Sequence, residues 1–158
     1  MFQFTAENLK RIEAERKKYP TADSAVMPVL WIAHEQNGNW ISGEAIQAVA
    51  DVLAIPVANV YGVVSFYTMY NKQPVGKYHL QVCANVSCSL NGARSILHHL
   101  ETELKVKHGE TTADQLFTVS EVECLGSCGT APAMQVNDDY VENLTIQKVD
   151  ALLKELGR

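Results

Sequence analysis

A long basic run, a membrane-length apolar run and a glycine-rich nucleotide motif are all missing from this chain of 158 residues. No cationic run exceeds Arg16-Lys17-Lys18, and 13 Lys and Arg against 18 Asp and Glu leave a net charge of −5. That balance argues against nucleic acid or an anionic membrane surface as the main partner. The most apolar stretch, residues 25–33, is far shorter than the roughly twenty residues that span a bilayer, so no direct membrane insertion is expected. No Gly-x-Gly-x-x-Gly follows a strand pattern, Gly62-Val63-Val64-Ser65 lacks the lysine of a phosphate loop, and Gly-x-Ser-x-Gly does not occur. No catalytic residue and no nucleotide site is therefore expected in the chain. The stretch Met1-Phe2-Gln3-Phe4-Thr5-Ala6-Glu7 has neither a secretory pattern nor an Arg- and Ser-rich presequence, and the expected location is cytoplasmic.

Cysteine is scarce too, but its placement is informative. All four cysteines fall into two close pairs, Cys83-x4-Cys88 and Cys124-x3-Cys128, separated by 35 residues. A reducing compartment disfavours structural disulfides, and a thioredoxin-type redox pair has a gap of two residues rather than four or three. Two loops that each follow a strand can return four thiolates to one point, which suits a single metal centre. A four-cysteine zinc site accepts these gaps as readily as an iron–sulfur cluster does, so spacing leaves both open. The surroundings favour the cluster. Patterned strands and helices flank the cysteines, so the metal need not form the core, and Gly126 and Gly129 let backbone N–H groups turn toward anionic sulfur.

Periodicity divides the chain in two. Residues 1–73 read as a helical bundle of four helices: residues 5–18; a second opened by Ser24 and carrying Val26, Leu30, Trp31 and His34; a third capped by Ser42; and a fourth with Pro56 in its first turn. A DNA-binding helix-turn-helix is a minor alternative that the acidic charge disfavours. Residues 74–158 change to strand alternation. Tyr78, Leu80 and Val82 lead into Cys83, a helix follows over residues 93–106, and a second strand over 116–123 leads into Cys124. A hairpin turning at Asn137-Asp138-Asp139 and a last helix capped by Thr145 complete a β-α-β-β-β-α order. Such an order makes a small α/β sandwich whose cysteine loops project from one end of neighbouring strands.

The histidines are not expected to carry metal. His98 and His99 diverge on a helix, and His34, His79 and His108 lack partners at ligand spacing. The aromatic stripe Tyr61, Phe66, Tyr67 and Tyr70 reads as core or packing surface.

With these residues in view, the chain resembles the thioredoxin-like [2Fe–2S] ferredoxins and, among them, the NuoE-type small subunits of the NADH-dehydrogenase module of respiratory complex I. The resemblance rests on residues 62–70, Val82-Cys83 through Cys88 with Asn91-Gly92-Ala93, Glu123-Cys124-Leu125-Gly126-Ser127-Cys128 with Ala131-Pro132, and Val136-Asn137-Asp138. It implies a thioredoxin-like fold after the helical bundle. It also implies one [2Fe–2S] cluster ligated by Cys83, Cys88, Cys124 and Cys128, the first pair on one iron and the second on the other. The implied partner is an FMN- and NADH-binding flavoprotein of the NuoF type, within a larger oxidoreductase complex on the cytoplasmic face of the inner membrane. The chain itself would carry electrons without a substrate site of its own. Subunits of this type also serve NAD-dependent formate dehydrogenases and NAD-linked or bifurcating hydrogenases.

Overall fold

Hydroxyl side chains start helices by accepting backbone N–H groups that have no partner inside the first turn. In the computed structural model, which describes residues 2–158, α1 spans Ala6–Arg16 and Thr5 accepts from the Asn8 N–H. The helix α2 spans Val26–Gln36. Its approach differs from the expected Ser24 cap: the Thr21 hydroxyl accepts from the Ser24 N–H, and Ser24 lies inside a 3₁₀ turn, Asp23–Ala25, that runs into α2. Ser42 caps α3, Gly43–Leu53, as expected. The helix α4 spans Val57–Phe66, with Pro56 one residue before its first turn.

The chain divides into two compact units, one ending at Pro74 and one running Val75–Arg158. The first unit's core is built from the inward stripes of these helices, with Ile12, Leu30, Val49, Leu53 and Val60 almost completely buried. Tyr70 closes it: the ring lies 5.3 Å from Trp31, and the hydroxyl donates to the Met27 carbonyl at 3.0 Å. Burial pushes its ionisation well above that of an ordinary tyrosine. The aromatic stripe therefore splits, for Tyr70 and the half-buried Tyr67 pack inward while Tyr61 and Phe66 face solvent. Among the described residues no helix is long and apolar enough to cross a membrane.

The second unit opens with β1, Tyr78–Cys83, followed by α5, Val86–Leu90, and α6, Ala93–Leu104. Then come β2, Phe117–Val122, the short strands β3, Met134–Val136, and β4, Asp139–Val141, and finally α7, Ile146–Glu155. The sheet order is β2-β1-β3-β4, with β1 parallel to β2 and the other pairs antiparallel. This is a mixed α+β unit. The element not expected from the sequence is α5, which occupies the Cys88 loop; five residues are too few to show helical periodicity. The hairpin turn is also tighter than expected, because Asp139 already belongs to β4 and Asn137 takes a left-handed φ of 54°.

Leu80 and Val82 of β1 and Phe117 and Val119 of β2 bury against Ile96 and Leu100 of α6 and Val149 and Leu153 of α7. Thr145 caps α7 by accepting from the Lys148 N–H. The entry to β1 is tight. The Gly76 N–H donates to the Thr118 hydroxyl at 2.7 Å, and a Cβ at Gly76 would stand 2.9 Å from Phe117 backbone atoms. Gly76→Ala should therefore cost about 1–3 kcal/mol, the usual range for overpacking, read as a lower denaturant midpoint. Gly62→Ala, in open space within α4, should instead be neutral or stabilising by up to about 1 kcal/mol. Equal midpoints for the two variants would show that the close approach at Gly76 carries no weight.

Candidate metal centre

Parallel pairing delivers the cysteines. Cys83 ends β1 opposite Val122, the end of β2, so the chain leaves both strands at the same end and reaches Cys124 two residues later. Cys83 is tied on both sides: its N–H donates to the Ala133 carbonyl at 3.1 Å, and the next N–H, of Ala84, donates to Val122 at 3.0 Å. The Asn85 side chain then caps α5 by accepting from the Val86 N–H, which places Cys88 on a helical turn facing inward. An Asn two residues ahead of a Ser-Cys-Ser run is the local signal that marks this helix start.

The four thiols are free, Cys83 and Cys88 buried and Cys124 and Cys128 exposed. The Cys124 and Cys128 sulfurs are 3.9 Å apart, far beyond a disulfide bond. That distance is close to the edge of a tetrahedron with metal–sulfur bonds of about 2.3 Å, roughly 3.8 Å. Burial alone would push the Cys83 thiol up, but N–H groups of Asn85 and Leu125 and the thiols of Cys88 and Cys124 outweigh it, and the net effect holds Cys83 below the ordinary value. Cys88 moves the other way. Burial pushes it up, the Ala133 N–H offsets only part of that, and Cys83 and Cys128 add repulsion. The groups that shift Cys83 thus include Cys124 of the other loop, and those that shift Cys88 include Cys128.

Among the described residues no group of three or more His, Cys, Asp or Glu is drawn around a single ion point. Four thiols carried on two loops are a donor set of the all-thiolate kind that an iron–sulfur centre uses. Backbone donors complete the fit, since Gly126, at φ 79°, aims its N–H at Cys124 Sγ from 3.4 Å. Gly129, also singled out in the sequence, lies in the 3₁₀ turn Cys128–Thr130. His99 pairs with Asp150 of α7 at 2.7 Å, and His79 Nε2 lies 2.8 Å from the Ser120 hydroxyl.

One set of residues around the site has no signal in the sequence. The hydroxyls of Ser127 and Thr130, on either side of Cys128, both donate to Glu142 Oε1, Thr130 at 2.7 Å. They hold the Glu142 carboxyl below the usual carboxylate range, Ser127 contributing most, with Lys148 adding to the effect. Large apolar side chains also stand in solvent at this end: Val86 and Leu90 on α5 are 69% and 82% exposed. Tyr140, half exposed, donates its hydroxyl to the Leu125 carbonyl at 2.8 Å.

The burial difference has a direct readout. In metal-free reduced protein, Cys124 and Cys128 should be alkylated about tenfold or more faster than Cys83 and Cys88, because access limits a neutral thiol reagent. Peptide mass spectrometry over a time course measures this, and equal rates would contradict the placement of Cys88 on an inward helical turn.

Residues 12–157 match the model of the thioredoxin-like [2Fe–2S] ferredoxins. The NuoE-type subunit of NADH-quinone oxidoreductase from Rickettsia prowazekii (strain Madrid E) is 46% identical over 156 residues, covering 98% of this chain and 88% of that protein. A counterpart from the same kind of oxidoreductase in Rhizobium meliloti (strain 1021) is 47% identical over 145 residues, covering 92% of this chain and 86% of the relative. A crystal structure of an NAD+-reducing [NiFe]-hydrogenase in the H2-reduced state matches at a TM-score of 0.71 and 21% identity, over 87% of this chain and 23% of that one, a likeness of fold. A family match over nearly the whole length, together with close relatives of one kind, places the identity: the chain belongs to the thioredoxin-like [2Fe–2S] ferredoxin family, in the branch of the NuoE-type subunits of NADH-quinone oxidoreductase.

Proposed function

We propose that this chain is the one-electron carrier of an NADH-oxidising module, with Cys83, Cys88, Cys124 and Cys128 holding one [2Fe–2S] cluster. The observation that supports this best is the convergence of the cysteines from two loops at one end of the β1–β2 pair, in a chain of this family. Cys83 and Cys88 would ligate one iron and Cys124 and Cys128 the other. When bound, such a cluster supplies a one-electron couple. The protein's own part is to position thiolates and to direct N–H groups of Asn85, Leu125, Gly126 and Ala133 at them. Burial of Cys83 and Cys88 keeps water from one side of the centre.

Hydride transfer moves two electrons at once, so a one-electron carrier needs a flavin to split them. The chain shows no dinucleotide fingerprint. The proposed role therefore includes a flavoprotein partner that binds FMN and NADH, inside a larger complex at the cytoplasmic face of the membrane. Exposed Val86, Leu90 and Tyr140 around the cysteine end are the kind of surface a partner covers. A hydrogenase or formate-dehydrogenase setting has less support, because the hydrogenase likeness is one of fold at 21% identity, whereas the relatives at 46% and 47% belong to quinone oxidoreductases.

Purified protein should be coloured, with two irons and two labile sulfides per chain. A colourless protein carrying zinc would replace this reading with a structural metal site. Cys88→Ala or Cys124→Ala should abolish most of the visible absorption. Far-UV circular dichroism should retain the helical signal of the first unit, whose core contains no cysteine. NADH added anaerobically to the isolated chain should leave the visible bands unchanged, and dithionite, or NADH with the flavoprotein partner, should bleach them. Rapid bleaching by NADH alone would reveal a nucleotide site on this chain and overturn the carrier role.

A further inference from the structure

Glu142 is joined to the second cysteine loop more closely than its distance along the chain suggests. Its Oε1 accepts hydrogen bonds from the hydroxyls of both Ser127 and Thr130, which bracket Cys128. The segment after it runs beside the same turn: the Asn143 N–H donates to the Thr130 carbonyl at 2.7 Å and the Leu144 N–H to the Pro132 carbonyl at 2.9 Å. Lys148, in the first turn of α7, donates its ammonium to the Glu142 carbonyl oxygen. A carboxylate is thus fixed against the loop of the exposed cysteine pair, with one cation nearby.

Two consequences follow from this arrangement. A hydroxyl that donates to Glu142 has no proton left for sulfur, so Ser127 and Thr130 are withheld from the thiolates and backbone N–H groups remain as their donors. A fixed negative charge also disfavours the addition of an electron nearby. Both act in one direction, because hydrogen bonds to sulfur and the net charge around it are levers on the potential of an iron–sulfur centre.

We propose that Glu142 is a positioning and charge-setting residue that lowers the reduction potential at this site, with Lys148 opposing it. The proposal rests on the four-cysteine cluster assigned above. The test is an EPR-monitored redox titration of the purified chain as wild type, Glu142→Gln and Lys148→Gln. Glutamine keeps a carbonyl oxygen able to accept both hydroxyls and removes the charge. The Glu142→Gln cluster should be reduced about three- to tenfold more favourably, a shift of ~30–60 mV to less negative potential at 59 mV per tenfold for one electron. Lys148→Gln should shift the opposite way. Glu142→Ala, which frees both hydroxyls, should shift at least as far upward as Glu142→Gln.

A loaded Glu142→Gln protein with the wild-type potential overturns the proposal. Failure of both Glu142 variants to hold a cluster that the wild type holds also overturns it, since Glu142 would then only brace the loop. Shifts of the same sign for Glu142→Gln and Lys148→Gln would exclude the charge effect. A wild type without two irons and sulfide, by contrast, would refute the cluster reading itself, which the iron assay reports before any titration.

Discussion

The parallel pairing of β1 with β2 is the constraint from which the site follows. Strand β1 is central, with β2 on one side and β3 on the other, and six residue pairs from Tyr78–Phe117 to Cys83–Val122 set its register with β2. Side chains alternate along a strand, so a slip of one residue would turn Leu80 and Val82 out of the core and carry Cys83 to the wrong face. The apolar core and the cysteine geometry are therefore specified by the same alignment. Parallel strands also require a long crossover, and here that crossover contains α5 and α6, which supply Cys88 and much of the core facing the sheet.

Gathering four sulfurs at one end has an electrostatic cost. Two thiolates about 4 Å apart repel by roughly 1 kcal/mol in water and roughly 4 at an effective dielectric of 20. Cys124 and Cys128, 3.9 Å apart and exposed, sit in the milder regime. Burial raises the cost of any charge on Cys83 and Cys88, and their opposite shifts express it: N–H donors and neighbouring thiols outweigh burial at Cys83, whereas burial and the Cys83 thiol push Cys88 up. A hydrogen bond to a charged group contributes about 1.5–3 kcal/mol, so the few donors present support one buried thiolate far better than two. In the proposed centre, the positive charge of the irons is what would hold all four as thiolates.

Much of this was legible along the chain. Strand alternation at Tyr78, Leu80 and Val82 runs into Cys83, and hydroxyl caps at Ser42 and Thr145 start their helices. Local patterns carry such information because caps and periodicities act within a few residues. What stayed hidden depends on distance. Glu142 meets Ser127 across 15 residues and His99 meets Asp150 across 51, and neither pair has a spacing signature. The helix α5 was hidden for the opposite reason, being too short for its period to register; only the Asn85 cap announces it. Ser24 does not start α2 because it lies inside the 3₁₀ turn Asp23–Ala25, its own N–H donated to the Thr21 hydroxyl.

The second unit has an apolar core of its own. In it Leu80, Phe117, Val119, Leu100 and Val149 form one buried cluster, of which Cys83 and Cys88 are two small members. A zinc-finger module has no such core and folds only when the metal arrives. Here the strands, the capped α5 turn and the Glu142 hydrogen bonds tie the cysteine loops to the rest of the unit. In the proposed carrier role, loops tied down in this way limit rearrangement when the charge of the bound cluster changes by one electron. Small rearrangement is what a carrier requires, because every displaced atom adds to the barrier for the electron to enter and to leave.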